Sequence, residues 1–173
     1  NDTWVSLMDE HPAIKEQFQH ATPTMQLICT GRMQRRASRM VGDNWAMLPH
    51  SAYFLDPLHS AGIAHTLCGI EQLMPMLQLT GRDRNAALFG YQTNMCSEID
   101  LLDKVIHGCY LCLDKFELFT QYAMLYFAGA DFTERRRREG CASGFLNCGD
   151  QAFCKIVDGF YREMVDDSID ASS

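Results

Sequence analysis

Trp45-Ala46-Met47-Leu48-Pro49-His50-Ser51-Ala52-Tyr53-Phe54-Leu55-Asp56-Pro57-Leu58-His59-Ser60-Ala61-Gly62-Ile63 reads as a short buried strand, a loop bent by Pro57, and a Gly62 turn entering an apolar helix. Strand, loop and helix in that order bring a ligand to backbone N–H groups at a helix N-terminus in α/β proteins. Downstream of this stretch the pattern is helical. Ile63, Leu67, Ile70, Leu73, Met74 and Leu77 recur at helical spacing up to Gly81, with Pro75 placed to kink or end the helix. Ile99, Leu102, Ile106, Cys109, Leu113, Phe116, Thr120, Ala123, Phe127 and Ala130 then keep a 3,4 spacing. This predicts two helices, or one long bent one, with a break at Gly108 or at Asp114, whose Glu117 completes a capping arrangement. The broad aromatic face of Phe119, Tyr122 and Tyr126 fits packing within a domain better than a coiled coil. The run Glu134–Glu139 carries four arginines and ends before Gly140, which suits a helix C-terminus. A last helix is expected from about Asp150 to Val165, with Phe153, Ile156, Val157, Phe160 and Met164 on one face.

Upstream the signals are shorter. A helix is expected from His11 to Ala21, with Pro12 in its first turn. Met25–Thr30 reads as a strand ending at Gly31, Gly42-Asp43-Asn44 as a turn, and Trp45–Leu48 as a second strand. The expected fold is mostly α with a few short strands before about residue 50. Residues 1–60 would form trailing strands and a ligand loop, 61–165 a helical region, and 166–173 a disordered acidic tail.

Composition limits the function classes. A chain of 173 residues can bury a real core. A net charge of −7 argues against nucleic acid as a partner, since phosphate binding needs a basic surface. No apolar run reaches the length of a membrane span, so no membrane partner is expected. The eight cysteines fall largely within apolar helical patterns and are read as reduced, which predicts a cytoplasmic setting.

Phe54-Leu55-Asp56-Pro57-Leu58-His59-Ser60-Ala61-Gly62-Ile63 resembles the second flavin-contacting motif of FAD-dependent halogenases and aromatic-ring monooxygenases. In that family a Gly-Asp pair opens a segment that reaches Asp-Pro and ends in Ser/Thr-x-Gly. The resemblance implies the C-terminal part of an α/β, Rossmann-like flavoprotein, beginning in mid-protein. No Gly-x-Gly-x-x-Gly occurs in the chain, so the dinucleotide-binding part is expected to lie elsewhere. The fragment alone is accordingly expected to be inactive and to hold FAD weakly. The implied cofactor contacts are His50, Asp56, Pro57, Ser60, Ala61, Gly62 and Ile63. Pro57 would fix the chain direction, and Gly62 would let the backbone approach a planar ring. The N–H groups of Ser60–Ile63 would face the ring edge that gains negative charge on reduction, and in the halogenase branch would help hold the halide. Pro49-His50 stands where the family has Gly-Asp, so His50 would replace an aspartate at the ribityl chain.

Family halogenases also use a catalytic lysine and a Trp-x-Trp-x-Ile-Pro segment. The tryptophans here are Trp4 and Trp45, so no catalytic residue is assigned. The implied activity is an FAD-dependent oxidoreductase of halogenase or monooxygenase type, acting on a small organic substrate, with a separate flavin reductase as partner. The alternative is a non-enzymatic helical module whose aromatic face binds a partner helix or an apolar ligand. Cys109-Tyr110-Leu111-Cys112 has redox spacing but lies in a helical run, and is read as core. His65 and Cys68, at i and i+3, lack a second ligand pair, and no metal is expected.

Overall fold

The computed structural model describes residues 2–22, 24–26, 28, 33–141 and 144–170. Part of the strand expected over Met25–Thr30, at positions 27, 29 and 30, lies outside the described residues. The chain divides between Met33 and Gln34 into two units. In the first, α1 (Asp2–Glu10) and α2 (Pro12–Phe18) form a helical pair. Trp4 meets Phe18 edge to face at 5.7 Å, and Lys15 pairs with Asp9 at 2.5 Å. Proline in the first turn of α2 fills a position whose N–H has no helical partner.

The second unit, Gln34–Ser173, is helical, and the segment before residue 60 belongs with it. Its strands are two-residue pieces: β1 (Arg35–Arg36), β2 (Val41–Gly42), β3 (Trp45–Ala46) and β4 (Tyr53–Phe54). Both pairings are antiparallel, β1 with β4 and β2 with β3. The strand expected over Trp45–Leu48 stops at Ala46, because Pro49 starts a short helix, α3 (Pro49–Ala52). One strand, β4, falls beyond residue 50, against expectation. Then come α4 (Ala61–Leu73), α5 (Gly81–Leu111), α6 (Phe116–Arg138) and α7 (Gln151–Asp170).

Helix α5 is the spine. Its 31 residues span about 46 Å at 1.5 Å per residue. Leu88, Tyr91, Met95, Glu98, Leu102, Val105 and Cys109 repeat at three and four and are buried along its length. α6 and α7 pack along it. α4 ends at Leu73, and Met74–Gln78 continues as a 3₁₀ turn holding Pro75, as the proline predicts.

The break between α5 and α6 lies at 112–115, beyond Gly108. Lys115 rather than Asp114 sits at the cap of α6, and no side chain caps it. The turn resets the helical phase. Leu113, Phe116, Thr120 and Phe127 of the expected stripe therefore face outward, and Tyr122, Tyr126, Gly129 and Thr133 take the buried face. α7 runs to Asp170, so residues 166–170 of the expected disordered tail are helical, while 171–173 lie outside the described residues. On α7, Phe153, Val157 and Met164 are buried, but Ile156 and Phe160 are exposed.

Gly108 lets α6 approach α5, since a Cβ there would overlap the Tyr122 ring, whose hydroxyl donates to the Lys104 carbonyl at 3.1 Å. Gly108→Ala should therefore destabilise the fold by about 1–3 kcal/mol through overpacking, less roughly 1 kcal/mol of gained helix propensity. Urea titration measures it, and a raised midpoint would show that the Tyr122 ring yields freely.

Candidate functional site

The loop that joins β4 to α4 is built from short-range chemistry. Asp56 Oδ1 accepts the Leu58 N–H at 2.8 Å, and the Ser60 N–H donates to the Pro57 carbonyl at 2.8 Å. Leu58–Ser60 is a 3₁₀ turn in which His59 and Ser60 both take positive φ, at 66° and 52°. A left-handed conformation costs a residue with a Cβ about 1–2 kcal/mol. Surrounding contacts hold the chain there. The His59 ring stacks on Tyr126 at 4.5 Å with an 8° interplanar angle, meets Phe127 edge-on, and places Nε2 3.5 Å from Cys109 Sγ. Burial holds the His59 imidazole below its ordinary pKa. The Tyr110 phenol is pushed up, first by its hydrogen bond to Asp56.

These turns deliver the chain to α4 with no side-chain cap and no acidic residue in its first turn. The helix N-terminus thus keeps its partial positive charge uncompensated by side chains. Ser60, Ile63 and Pro57 are exposed, whereas the Ala61 side chain is buried. His50 lies in α3, not at a strand end, and its N–H donates to Thr66 Oγ1 at 3.3 Å. A Cβ on Gly62 would come within 2.9 Å of His50 Nδ1. The structure thus brings His50 and the loop together. Gly62 is nevertheless helical, with no positive φ, and the space freed by its missing side chain faces the His50 ring.

A buried polar chain flanks the loop, and the sequence reading assigned it no role. Tyr53, in β4, places its hydroxyl 2.6 Å from His65 Nδ1, and His65 Nε2 lies 2.7 Å from Glu98 Oε2. Glu98 Oε1 also accepts from Gln72 Nε2 at 3.1 Å and from the Phe145 N–H at 2.8 Å. His65 is fully buried and stacks on Phe145 at 4.4 Å. With Glu98 ionised, Nε2–H donates to the carboxylate and Nδ1 accepts the Tyr53 proton. Both ring nitrogens are therefore engaged. Cys68, three residues on from His65, meets Arg137 at 3.6 Å. One signal was available: Glu98 keeps the phase of Tyr91, Met95 and Leu102, and an acid on a core face demands a partner.

The described cysteines are free. Cys109 and Cys112 are buried, and burial pushes Cys109 up to about 11, which suits core packing rather than thiolate redox chemistry. Among the described residues no three His, Cys, Asp or Glu side chains gather as metal ligands. No helix there is long and apolar enough to cross a membrane.

No protein-family model matches the chain. It is 26% identical to tetracycline 7-halogenase of Kitasatospora aureofaciens over 176 residues, covering 94% of this chain and 32% of that protein. Monodechloroaminopyrrolnitrin halogenase PrnC of Pseudomonas fluorescens is 29% identical over 121 residues, covering 68% of this chain and 21% of its own length. The structure matches that of halogenase PltM with a TM-score of 0.74 at 20% identity, over 95% of this chain and 38% of that one. A PltM variant solved in complex with FAD matches with a TM-score of 0.71. The chain is halogenase-like, and it spans about a third of the length of tetracycline 7-halogenase. These likenesses do not favour the helical interaction module.

Removing the shared acceptor leaves buried donors without a hydrogen-bond partner. Glu98→Ala should cost at least about 1–3 kcal/mol in a urea titration, since it strands the buried His65 and Phe145 donors, and Glu98→Gln clearly less, because the amide keeps an acceptor for Phe145. Equal midpoints for the two variants would refute the role given to the carboxylate. Burial, before the charge of Glu98, raises the Tyr53 and Tyr91 phenols, and burial likewise raises Tyr122. A folded pKa above the unfolded one favours the protonated fold below the unfolded value and loses that stability as pH rises. Cys109, raised in the same way, adds a loss that begins at about pH 8.5, so unfolding midpoints should start to fall there and fall further above about pH 10.

Proposed function

We propose that this chain forms the flavin-ring side of an FAD-dependent oxidoreductase of halogenase or monooxygenase type. The observation that carries the reading is the loop: two successive left-handed residues, His59 and Ser60, turn the chain into an uncapped start of α4. An uncapped helix start suits a ring edge that gains negative charge, and Ser60 and Ile63 are exposed on either side of buried Ala61 and half-buried Gly62. The loop residues therefore fit the group. Bound FAD, once reduced, would supply the electrons that activate oxygen. The chain's own residues orient it. Ala61, Gly62 and Ile63 present backbone N–H groups, Pro57 and the Asp56 turn fix the loop, and His50 offers one ring nitrogen at the edge of Gly62.

In this reading the substrate is a small organic molecule, a separate flavin reductase supplies reduced flavin, and the setting is cytoplasmic. The 173 residues contain no Gly-x-Gly-x-x-Gly, so they supply no seat for the pyrophosphate. Titration of this chain with FAD, followed by flavin fluorescence, should show only weak binding. Stoichiometric binding at submicromolar flavin would mean that the site is complete without the fingerprint.

The product of the complete reading frame gives the sharper test. Gly62→Val puts a branched side chain where the His50 ring now lies, and His50, being exposed, can swing away with little cost to the fold. The displaced ring and the added bulk should weaken FAD by about tenfold, or 1.4 kcal/mol. His50→Ala should cost about 1–2 kcal/mol of flavin affinity, the size of a lost hydrogen bond. An unchanged flavin dissociation constant in both folded variants would mean that the loop does not touch flavin.

A further inference from the structure

A cavity of about 620 Å³ opens where the end of α4, its 3₁₀ extension, α5, the end of α6 and the turn before α7 converge. That volume lies within the range of small-molecule sites. Gln72 in its wall stands eleven residues beyond Ala61, about 16 Å along α4 from the loop. The cavity is therefore separate from the site proposed for flavin. Its rear wall is set by the buried carboxylate. Gln72 and Gly144 line the cavity and both stand against Glu98: Gln72 Nε2 donates to Oε1 at 3.1 Å, and a Cβ on Gly144 would come within 3.0 Å of the same oxygen. With its amide hydrogens turned to Glu98, Gln72 keeps its carbonyl oxygen as an acceptor. Asn94, on α5, adds an exposed carboxamide with both a donor and an acceptor. Pro75, Met76 and Cys148 supply apolar surface between these polar groups.

Charge narrows the choice of ligand. The charged residues that line the cavity are Arg137 and Glu71, and they pair with each other at 2.7 Å. Glu134 lies a further 4.0 Å from the same guanidinium. An entering anion must displace Glu71 and would face Glu98 behind the wall. An entering cation would face the guanidinium itself. An ionised ligand would thus give up hydration without an opposite charge to receive it. We propose that this cavity is a second small-molecule site, for an uncharged aromatic ring that carries a carboxamide or a group of the same donor and acceptor pattern. The ring lies against Pro75, Met76 and Cys148, where sulfur and ring contacts are favourable. The ligand N–H donates to the Gln72 carbonyl, and its carbonyl accepts from the Asn94 amide. The proposal stands independently of the flavin reading.

The test uses benzamide, benzoate and benzamidinium, which share one shape and differ in charge. Each is titrated into the product of the complete reading frame, labelled with ¹³C at the methionine methyls, with Met76 assigned through Met76→Leu. Benzamide should shift the Met76 methyl with a dissociation constant of about 1 mM, ordinary for so small a ligand. The two ions should bind at least about tenfold more weakly. Gly149 also lines the cavity, and a Cβ there meets no atom within 4 Å, so Gly149→Phe adds a ring to the cavity without overlap. It should keep the thermal midpoint and weaken benzamide about tenfold. A silent Met76 methyl, equal affinity for either ion, or unchanged affinity in folded Gly149→Phe would overturn the site. Competition between benzamide and FAD would place the probe at the flavin loop and overturn it as well. Benzamide binding in a protein that takes up no FAD would uphold the cavity and defeat the flavin reading alone.

Discussion

A single buried carboxylate, Glu98, sets where the loop can go. It lies at the middle of α5 and reaches three other elements. Through His65 it fixes α4, through the Tyr53 hydroxyl on the same imidazole it fixes β4, and through the Phe145 N–H it fixes the turn before α7. β4 and α4 are the two flanks of the loop, so both are registered against one group on one rigid helix. A buried, hydrogen-bonded carboxylate is weak as a source of stability, because its desolvation offsets most of what its partners return. Its effect here is on register. An apolar plug would fill the same volume but would let α4 slide or rotate against β4, and the loop termini would move with it.

That registry matters because the loop stores strain. His59 and Ser60 persist in left-handed conformations because several contacts over-determine them. Asp56 closes the turn from below, and Tyr126 and Phe127 of α6 hold the His59 ring from the side. The phase of α6 is thus part of the site. It depends in turn on the turn at 112–115 and on Gly108, which lets Tyr122 lie against α5. Leu146 and Asn147 form a second left-handed pair, secured by Glu98 at Phe145 and by Thr133 Oγ1, which accepts the Asn147 N–H at 2.7 Å. Both strained turns therefore hang from the same carboxylate or from its neighbours on the core face.

The helical part of this architecture was legible in the sequence. Ile99 to Cys109 carry the 3.6-residue period that burial imposes, whereas the same period at Ile63, Leu67 and Ile70 marks a helix whose buried face is the other one, Ala61, His65, Cys68 and Gly69. Pro75 and Gly140 mark ends through backbone chemistry that needs no tertiary context. The stripe beyond Cys112 misled because a period read straight across a turn keeps its phase on paper but not in space. α5 begins at Gly81, well before its readable stripe, since Arg82, Asp83, Arg84 and Asn85 make its first turn polar. The strands, two residues each, are too short for an alternation to register. The Asp-Pro loop was readable because turn chemistry is local. The His65–Glu98 pair, 33 residues apart, was not, since no local pattern pairs a histidine with a distant acid.

Three histidines surround the loop, and their environments separate their roles. His65 is enclosed and committed to Tyr53 and Glu98. His59 is half-buried, and desolvation keeps it from ionising readily. His50 is exposed, with its Nδ1 beside Gly62. The arginine run at the end of α6 is engaged elsewhere: Arg135 with Asp131, Arg137 with Glu71 and Arg138 with Glu134. The positive potential at the loop then comes chiefly from the helix terminus, equivalent to roughly half a charge. On the flavin reading proposed above, a partial, fixed charge of that kind would stabilise an anion that comes and goes with the redox state without holding it as tightly as a full cation would. It also needs no proton to be taken up or released, so its strength does not vary across neutral pH. On that reading the uncapped start of α4, shaped by the strained turn and aligned by Glu98, would act through backbone geometry rather than through titration.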